Sequence, residues 1–486
     1  MVNNKRLVKW FNCKALAIKK IKRQGFCNEM DLASVLEDTT GQYYSRLRES
    51  LPILFEENGQ IHNLRLSEMD DSFFSSLKKV ILEDDIYLLH LLVYCMDRAI
   101  IQCYNTLETF EEEYEEIEGL NDNWKETGIC ILKRVSCAWQ VRNIGSCEES
   151  LFYNFYYIEK QEDIKVSNYV LQRSSVLKSG KPNLRVAISP LTKEEVVVFS
   201  EPYEYSNIHT KQKQHYFRVE TIKNTDWLEQ EIIRNMEYSG THDVDILVFP
   251  EMLGSQEMLN NVLDFFQQNR DKKVPPLVVF PSIWEKTEDD RNNTNVSCLL
   301  LDGRQIMFRQ NKRICFYYKD KDGTKVFEDI NRDPDAPDIL NVLHIDGIGR
   351  ICIIICYDYL HNENREMIKK LIKPTLICCP SFSTGSFNFQ ILQESGYYAG
   401  CNCIWCNTCS AANAAGSDKN FEIVGGIGTL SKKCDQMDAE TFKKVFEGRK
   451  NCKKEICSQC VYYSDIPLKN ERGTYRWKNI NYILQL

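Results

Sequence analysis

An α/β layered fold preceded by a mostly helical module is what this chain predicts, on two observations. After Ser179-Gly180-Lys181-Pro182, short β-branched runs alternate with amphipathic helices, the pattern of strands layered with helices. Over residues 5–103 the apolar residues recur at helical spacing instead. At 486 residues the chain is also too long for one small core.

The first module is expected over residues 1–180. Lys5 to Lys22 has helical spacing with a basic face, and Leu32 to Leu51, broken near Gly41, and Phe73 to Leu82 read as amphipathic helices. Ile86 to Cys103 is apolar enough to be a buried helix, with Leu88, Leu91, Leu92 and Cys95 along one side. Glu108 to Glu118 holds seven glutamates in eleven residues, a solvated helix face or a charged linker. Residues 125–180 show no clean period. No activity attaches to this module. Its basic first helix reads as a solvated face docked on the module rather than a nucleic-acid contact.

Beyond the boundary, Leu184 to Ile188 and Val244 to Phe249 read as strands, with a helix from Trp227 to Met236 between them. A helix from Ser255 to Gln268 follows. Pro276 to Pro281, Asn295 to Leu301 and Gln305 to Gln310 are further strands, the last two joined at the Asp302-Gly303 hairpin turn. Gly349 to Cys356 carries four isoleucines and reads as a strand buried on both faces. A helical stretch from Leu360 to Leu371 ends before Pro374, and Thr375 to Cys379, Asn402 to Cys406 and Ile423 to Leu430 complete the strands.

Composition narrows the function. A net charge of -8, 43% hydrophobic and 27% charged residues are those of an ordinary globular chain, with no general pull toward nucleic acid or membrane. No apolar run approaches the roughly 18 residues that span a bilayer. The eight Lys/Arg of the first 25 residues interrupt every apolar segment there, so no secretory core is expected. Twenty-one scattered cysteines suggest reduced thiols in a cytoplasm. Cys401, Cys403, Cys406 and Cys409 fall on a strand and its end, where alternating side chains diverge rather than converge on a metal. Cys434, Cys452, Cys457 and Cys460 read as free thiols in a lysine-rich tail. Neither a metal nor a cofactor is expected.

Three polar residues stand at element ends in a telling order. Glu251 closes Leu247-Val248-Phe249-Pro250-Glu251, Lys312 follows a hairpin in Arg309-Gln310-Asn311-Lys312, and Cys356 ends the isoleucine-rich strand where a helix N-terminus can act on a thiolate. Singly, each has a blander reading: Glu251 as a helix cap, Lys312 as an exposed hairpin lysine, Cys356 as core packing like Cys352. A thiol near pKa 8.5 needs a base to become a nucleophile, which Glu251 would supply. Charge developing on the attacked group needs a fixed cation, which Lys312 would supply.

In order and spacing, 61 residues from glutamate to lysine and 44 from lysine to cysteine, the trio resembles the nitrilase (carbon-nitrogen hydrolase) superfamily. "DVDILVFPE", "RQNKRICF" and "GRICIIICYD" look like its glutamate, lysine and nucleophile blocks, and "PTLICCPSFS" and "GGIGTLS" are similar to its later strands. The resemblance implies a four-layer α-β-β-α sandwich over 181–445, followed by an extension at 446–486. It implies a cytoplasmic, cofactor-free amidase or nitrilase-type hydrolase acting through catalytic Glu251, Lys312 and Cys356 on a small amide or nitrile-like substrate. The family often adds a second glutamate; Glu328 is the only one between Lys312 and Cys356. Tyr357 would lend a backbone N–H to the developing charge, and Asp358 would fix the turn after the nucleophile. Pairing of such domains implies a homodimer or higher homo-oligomer.

Departures from the family pattern leave two other readings open. Tyr359-Leu360-His361-Asn362-Glu363-Asn364 lacks the usual turn, and charged Lys319 to Asp338 reads as a mobile loop over the site. The helical module suggests tethering to a protein partner, and some such fusions resemble components of bacterial anti-phage systems, where the domain would be a silent sensor or scaffold. An acyltransferase would use the same trio.

Overall fold

The computed structural model describes residues 5–25, 41–100, 114–117, 119–135, 137, 152, 154–161, 163–206, 213–286, 293–330, 337–398, 401–414, 424–428, 458–468 and 481–482. The chain divides into two compact units, Met1–Val135 with Val141–Val170, and Ser136–Gln140 with Leu171–Leu486. Most of the glutamate run, the start of the helix expected from Leu32, and Cys434, Cys452 and Cys457 lie outside the described residues. No helix among those described is long and apolar enough to cross a membrane.

The first unit packs the helices Lys5–Gln24, Gln42–Ser50, Asp71–Leu82 and Ile86–Ala99 around Trp10, Phe11, Leu47, Leu77, Leu91 and Leu92. Asp70 and Asp85 start the last two helices, each accepting N–H bonds from the first turn. The basic face of the first helix turns onto acids of its own unit. Lys9 reaches Asp71 at 2.9 Å, Lys20 reaches Asp84 at 2.7 Å, and Lys22 meets Glu159. The unit is less helical than expected. Ile129–Lys133 and Phe155–Glu159 form an antiparallel two-stranded sheet. These runs are rich in β-branched and aromatic residues, and each is too short for a helix to bury.

The second unit is built on two sheets. In one, Ile246–Val248 lies parallel to both Asn183–Ile188 and Leu277–Val279, and antiparallel Asn293–Leu301 and Gln305–Asn311 extend it. In the other, Gly349–Ile353, Leu376–Pro380 and Asn402–Cys406 run parallel, flanked by antiparallel Asp338–Ile345 and Gly425–Gly428. The chain is tight there: a Cβ on Gly425 would come within 2.6 Å of the backbone Trp405 O as well as 2.3 Å of Ile188 Cδ1, so only glycine fits. Helices Thr225–Thr241 and Gln256–Gln268 bury Leu228, Ile232, Met236, Leu259 and Phe266 with Leu247, Phe249 and Val278 of the first sheet. Helix Phe387–Tyr398 packs on the second, with Phe389 stacked on Trp405 at 4.8 Å.

The expected turn chemistry is visible. Asp302 and Gly303 both take positive φ, 51° and 64°, as a two-residue hairpin turn requires. The helix before Pro374 spans Asn362–Ile372 and ends at Lys373 in the left-handed region. Two features were not anticipated. Tyr462–Pro467, within the segment read as an extension, pairs antiparallel with Asn183–Ile188. Tyr317–Lys319 and Lys325–Glu328, within and beside the stretch expected to be a mobile loop, are paired strands in a four-stranded sheet with Tyr203–Ser206 and Lys213–Phe217. The aromatic residues of these strands, with Val326, favour extended pairing despite the flanking charges.

Candidate active site

Glu251, Lys312, Glu328 and Cys356 come together inside the second unit. The bonds from Phe249 N to Val279 O (3.0 Å) and from Glu251 N to Ser381 O (3.2 Å) carry the chain from the end of Ile246–Val248 across to the second sheet. Met252, next in line, takes φ 62°, which turns the chain sharply. Glu251 does not cap the following helix; Ser255 does, accepting from Met258 N at 3.1 Å. Cys356 sits likewise at the end of its strand, with its N–H on Pro380 O at 2.8 Å. Its φ of 45° with ψ of -105° is a costly backbone for a residue with a side chain, about 1–3 kcal/mol. That conformation holds the thiol out of the sheet. Cys352, four residues earlier, is wholly buried in the core.

Lys312 is not an exposed hairpin lysine: it is 1% exposed. Its backbone N–H bonds Asn295 O, and its Nζ donates to Glu251 Oε1 at 2.8 Å and to Glu328 Oε2 at 2.5 Å. Glu328 arrives from the small four-stranded sheet and also accepts from Phe316 N at 3.1 Å. One cation thus faces two fully buried carboxylates. Burial alone would lower the lysine's pKa, but Glu251 and Glu328 outweigh it and hold it well above the ordinary value. Burial pushes the Glu328 carboxyl up, partly offset by Lys312 and reinforced by Glu251. Burial, then the Glu251 charge, push the Cys356 thiol well above its usual range against the pull of Lys312. The one-turn helix Tyr357–Leu360 follows directly after it.

Two further contributors join the site, Asn295, which carries no sequence signal, and the end of "PTLICCPSFS", to which the sequence assigns no role. Asn295 donates through Nδ2 to Glu251 Oε1 at 2.8 Å and to Glu328 Oε1 at 3.3 Å, bridging the two carboxylates. The segment Pro380-Ser381-Phe382 is a hub: Phe382 N donates to Glu251 Oε2 at 2.8 Å, and Phe382 O lies 4.0 Å from Cys356 Sγ. Asp358 reaches beyond its own turn. Its carboxylate accepts the N–H groups of Arg313 (2.8 Å) and Ile314 (2.7 Å), tying the turn after Cys356 to the segment that carries Lys312. Tyr357 points its ring toward Phe316 and Tyr317. Among the described residues, no cluster of three or more His, Cys, Asp or Glu could hold a metal ion.

No protein-family model matches the chain, and no curated protein matches it. Its structure is similar, over about half of the chain, to solved members of the nitrilase superfamily. The Caenorhabditis elegans NitFhit protein matches at 12% identity and a TM-score of 0.37 over 59% of this chain, which spans 61% of that protein. An amidase from Nesterenkonia sp. AN1, carrying the acetamide moiety of fluoroacetamide on its active-site cysteine, matches at 12% identity over 48% of this chain and 79% of its own (TM-score 0.34). Saccharomyces cerevisiae Nit3, of branch 10 of that superfamily, matches at 14% identity over 60% of this chain and 93% of its own (TM-score 0.32).

Proposed function

We propose that the second unit is a thiol hydrolase of the nitrilase type that cleaves a non-peptide C–N bond, an amide, through an acyl-enzyme on Cys356. The observation that supports it is a buried lysine shared by two carboxylates beside a cysteine held at positive φ. As Sγ attacks the carbonyl carbon, Glu251 takes the thiol proton. Negative charge grows on the carbonyl oxygen, and Lys312, with the Tyr357 N–H, stabilises it. Collapse breaks the C–N bond, and Glu251 returns its proton to the leaving nitrogen. Water then attacks the thioester with Glu251 as base, releasing the acid and the thiol. Glu328 and Asn295 hold Lys312 and Glu251 in place.

The test is intact-protein mass spectrometry after incubation with small amides, with hydroxylamine to intercept the acyl group. An adduct on Cys356, absent in Cys356→Ala, is expected, with turnover falling by at least about a thousandfold. No adduct, together with a Cys356 that alkylates no faster than Cys352, would favour the sensor reading.

A further inference from the structure

Aromatic rings extend between two positions at the site, Tyr357 and Phe382, linked through Tyr317 and Tyr318, adjacent residues of one strand whose side chains point to opposite faces of it. Tyr357, which follows Cys356, is edge-on to Tyr317 at 6.4 Å and 83°. Its chain neighbour Tyr318 tilts against Phe217 at 5.5 Å, Phe217 meets Phe199 edge-on at 5.7 Å, and Phe199 meets Phe382 edge-on at 5.7 Å. Phe382 closes the run, since its carbonyl lies 4.0 Å from Cys356 Sγ and its N–H holds Glu251. Tyr317 and Tyr318 are each 37% exposed and Phe199, Tyr357 and Phe382 are half-buried, whereas Phe217 is buried behind them. The rings come from five separate segments. Their convergence is a product of the fold rather than of one aromatic-rich stretch.

We infer that this run of rings is the wall against which the acyl portion of the substrate lies, and that the substrate is an amide whose acyl group carries a flat, uncharged aromatic ring. The inference rests on the thiol-hydrolase reading. Partly exposed rings set edge-on to one another offer faces and edges that an added ring completes. A cationic acyl group would also be drawn to ring faces, but Lys325 Nζ already lies 4.8 Å over Tyr317 and Lys312 stands at the base of the site. An anionic one meets Asp320 and Glu201, which, after burial, raise the pKa of the Tyr318 phenol.

The test measures binding of phenylacetamide, propionamide and the amide of trimethylglycine to the full-length Cys356→Ala protein by calorimetry. Acylation of the unaltered protein by the same three compounds is followed by mass spectrometry. Phenylacetamide should bind at least about tenfold more tightly than propionamide, the factor two aromatic contacts supply. Phe199→Ala should erase that preference, and Phe199→Leu should retain part of it. Equal binding of the two amides, or tightest binding of the trimethylglycine amide, overturns the inference. Acylation by propionamide with no aromatic preference overturns the inference and leaves the hydrolase reading standing. Aromatic preference in binding with no adduct from any of the three supports the wall and overturns the hydrolase reading.

Discussion

Each unit buries a lysine, and the two are balanced in opposite ways. Lys14, wholly buried in the first unit, has Asp97 as its carboxylate partner at 2.5 Å and lies 4.8 Å over the Phe155 ring. Asp97 in turn accepts from Asn154 N at 2.7 Å, so the pair staples the first helix to the strand segment at 154–155. Burial dominates there and lowers the lysine's pKa in spite of Asp97. Lys312 has two carboxylates and a neighbouring thiol, and its pKa rises. One lysine against one acid is a balanced structural pair. One lysine against two acids, next to a strained cysteine, is surplus negative charge held in a dry site, which folding alone does not call for.

The largest effect should follow from removing the cation that the surplus charge surrounds. Lys312→Met should lower turnover by roughly 10²–10³-fold. It should also destabilise the second unit by about 3–5 kcal/mol in urea unfolding, because two carboxylates are left facing each other. Adding Glu328→Gln should recover part of the stability and none of the turnover. If Lys312→Met alone is as stable as the parent, the surplus-charge account fails.

Lys14→Met should cost the first unit a similar amount, about 3–5 kcal/mol, by removing the buried cation beside Asp97, with Cys356 acylation unchanged; a loss of acylation would mean that the two lysines do not differ in kind. Asn295→Ala should act on a smaller scale. It should lower kcat about tenfold, with KM little changed and the acid limb of the pH profile displaced, because both carboxylates lose a shared donor.

The smallest effect is the response to alkali, and its sign differs between the units. Lys14, with its folded pKa below the unfolded value, binds fewer protons folded than unfolded. Stability of the first unit therefore gains from this group as pH rises toward about 10.4. Lys312, with its folded pKa raised, contributes fully below about 10.4, and that contribution is lost as pH climbs through the higher folded value. Pulse proteolysis in urea between pH 8 and 11 (roughly, the window these pKa values set), with fragments assigned by mass, would show the two units moving apart.

The parts of this arrangement legible in the sequence are those fixed by short-range pattern. Strand-end positions of Glu251 and Cys356 follow from the apolar runs before them, and the hairpin before Lys312 from Asp302-Gly303. Glu328 was reached only as the glutamate lying between Lys312 and Cys356; its bond to Lys312 depends on parallel pairing with Lys213–Phe217, a hundred residues away in the chain. Asn295 gives no signal, since a polar residue near the start of a strand is unremarked until two sheets bring both carboxylates to it. The aromatic run is equally silent, because its rings come from segments that meet only in three dimensions. The strands of the first unit were missed for a different reason: runs such as Ile129–Lys133 are too short for a period to establish itself.

The small sheet that delivers Glu328 also limits how the protein could be rebuilt. By its position it looks like a removable ornament on two larger sheets, the sort of hairpin that loop grafting trims first. Yet it supplies one of the two carboxylates on Lys312 and, through Tyr317 and Tyr318, the middle of the aromatic run. Shortening it would alter the charge of the site and its selectivity in a single cut, so the two properties are not separately tunable from this edge of the molecule.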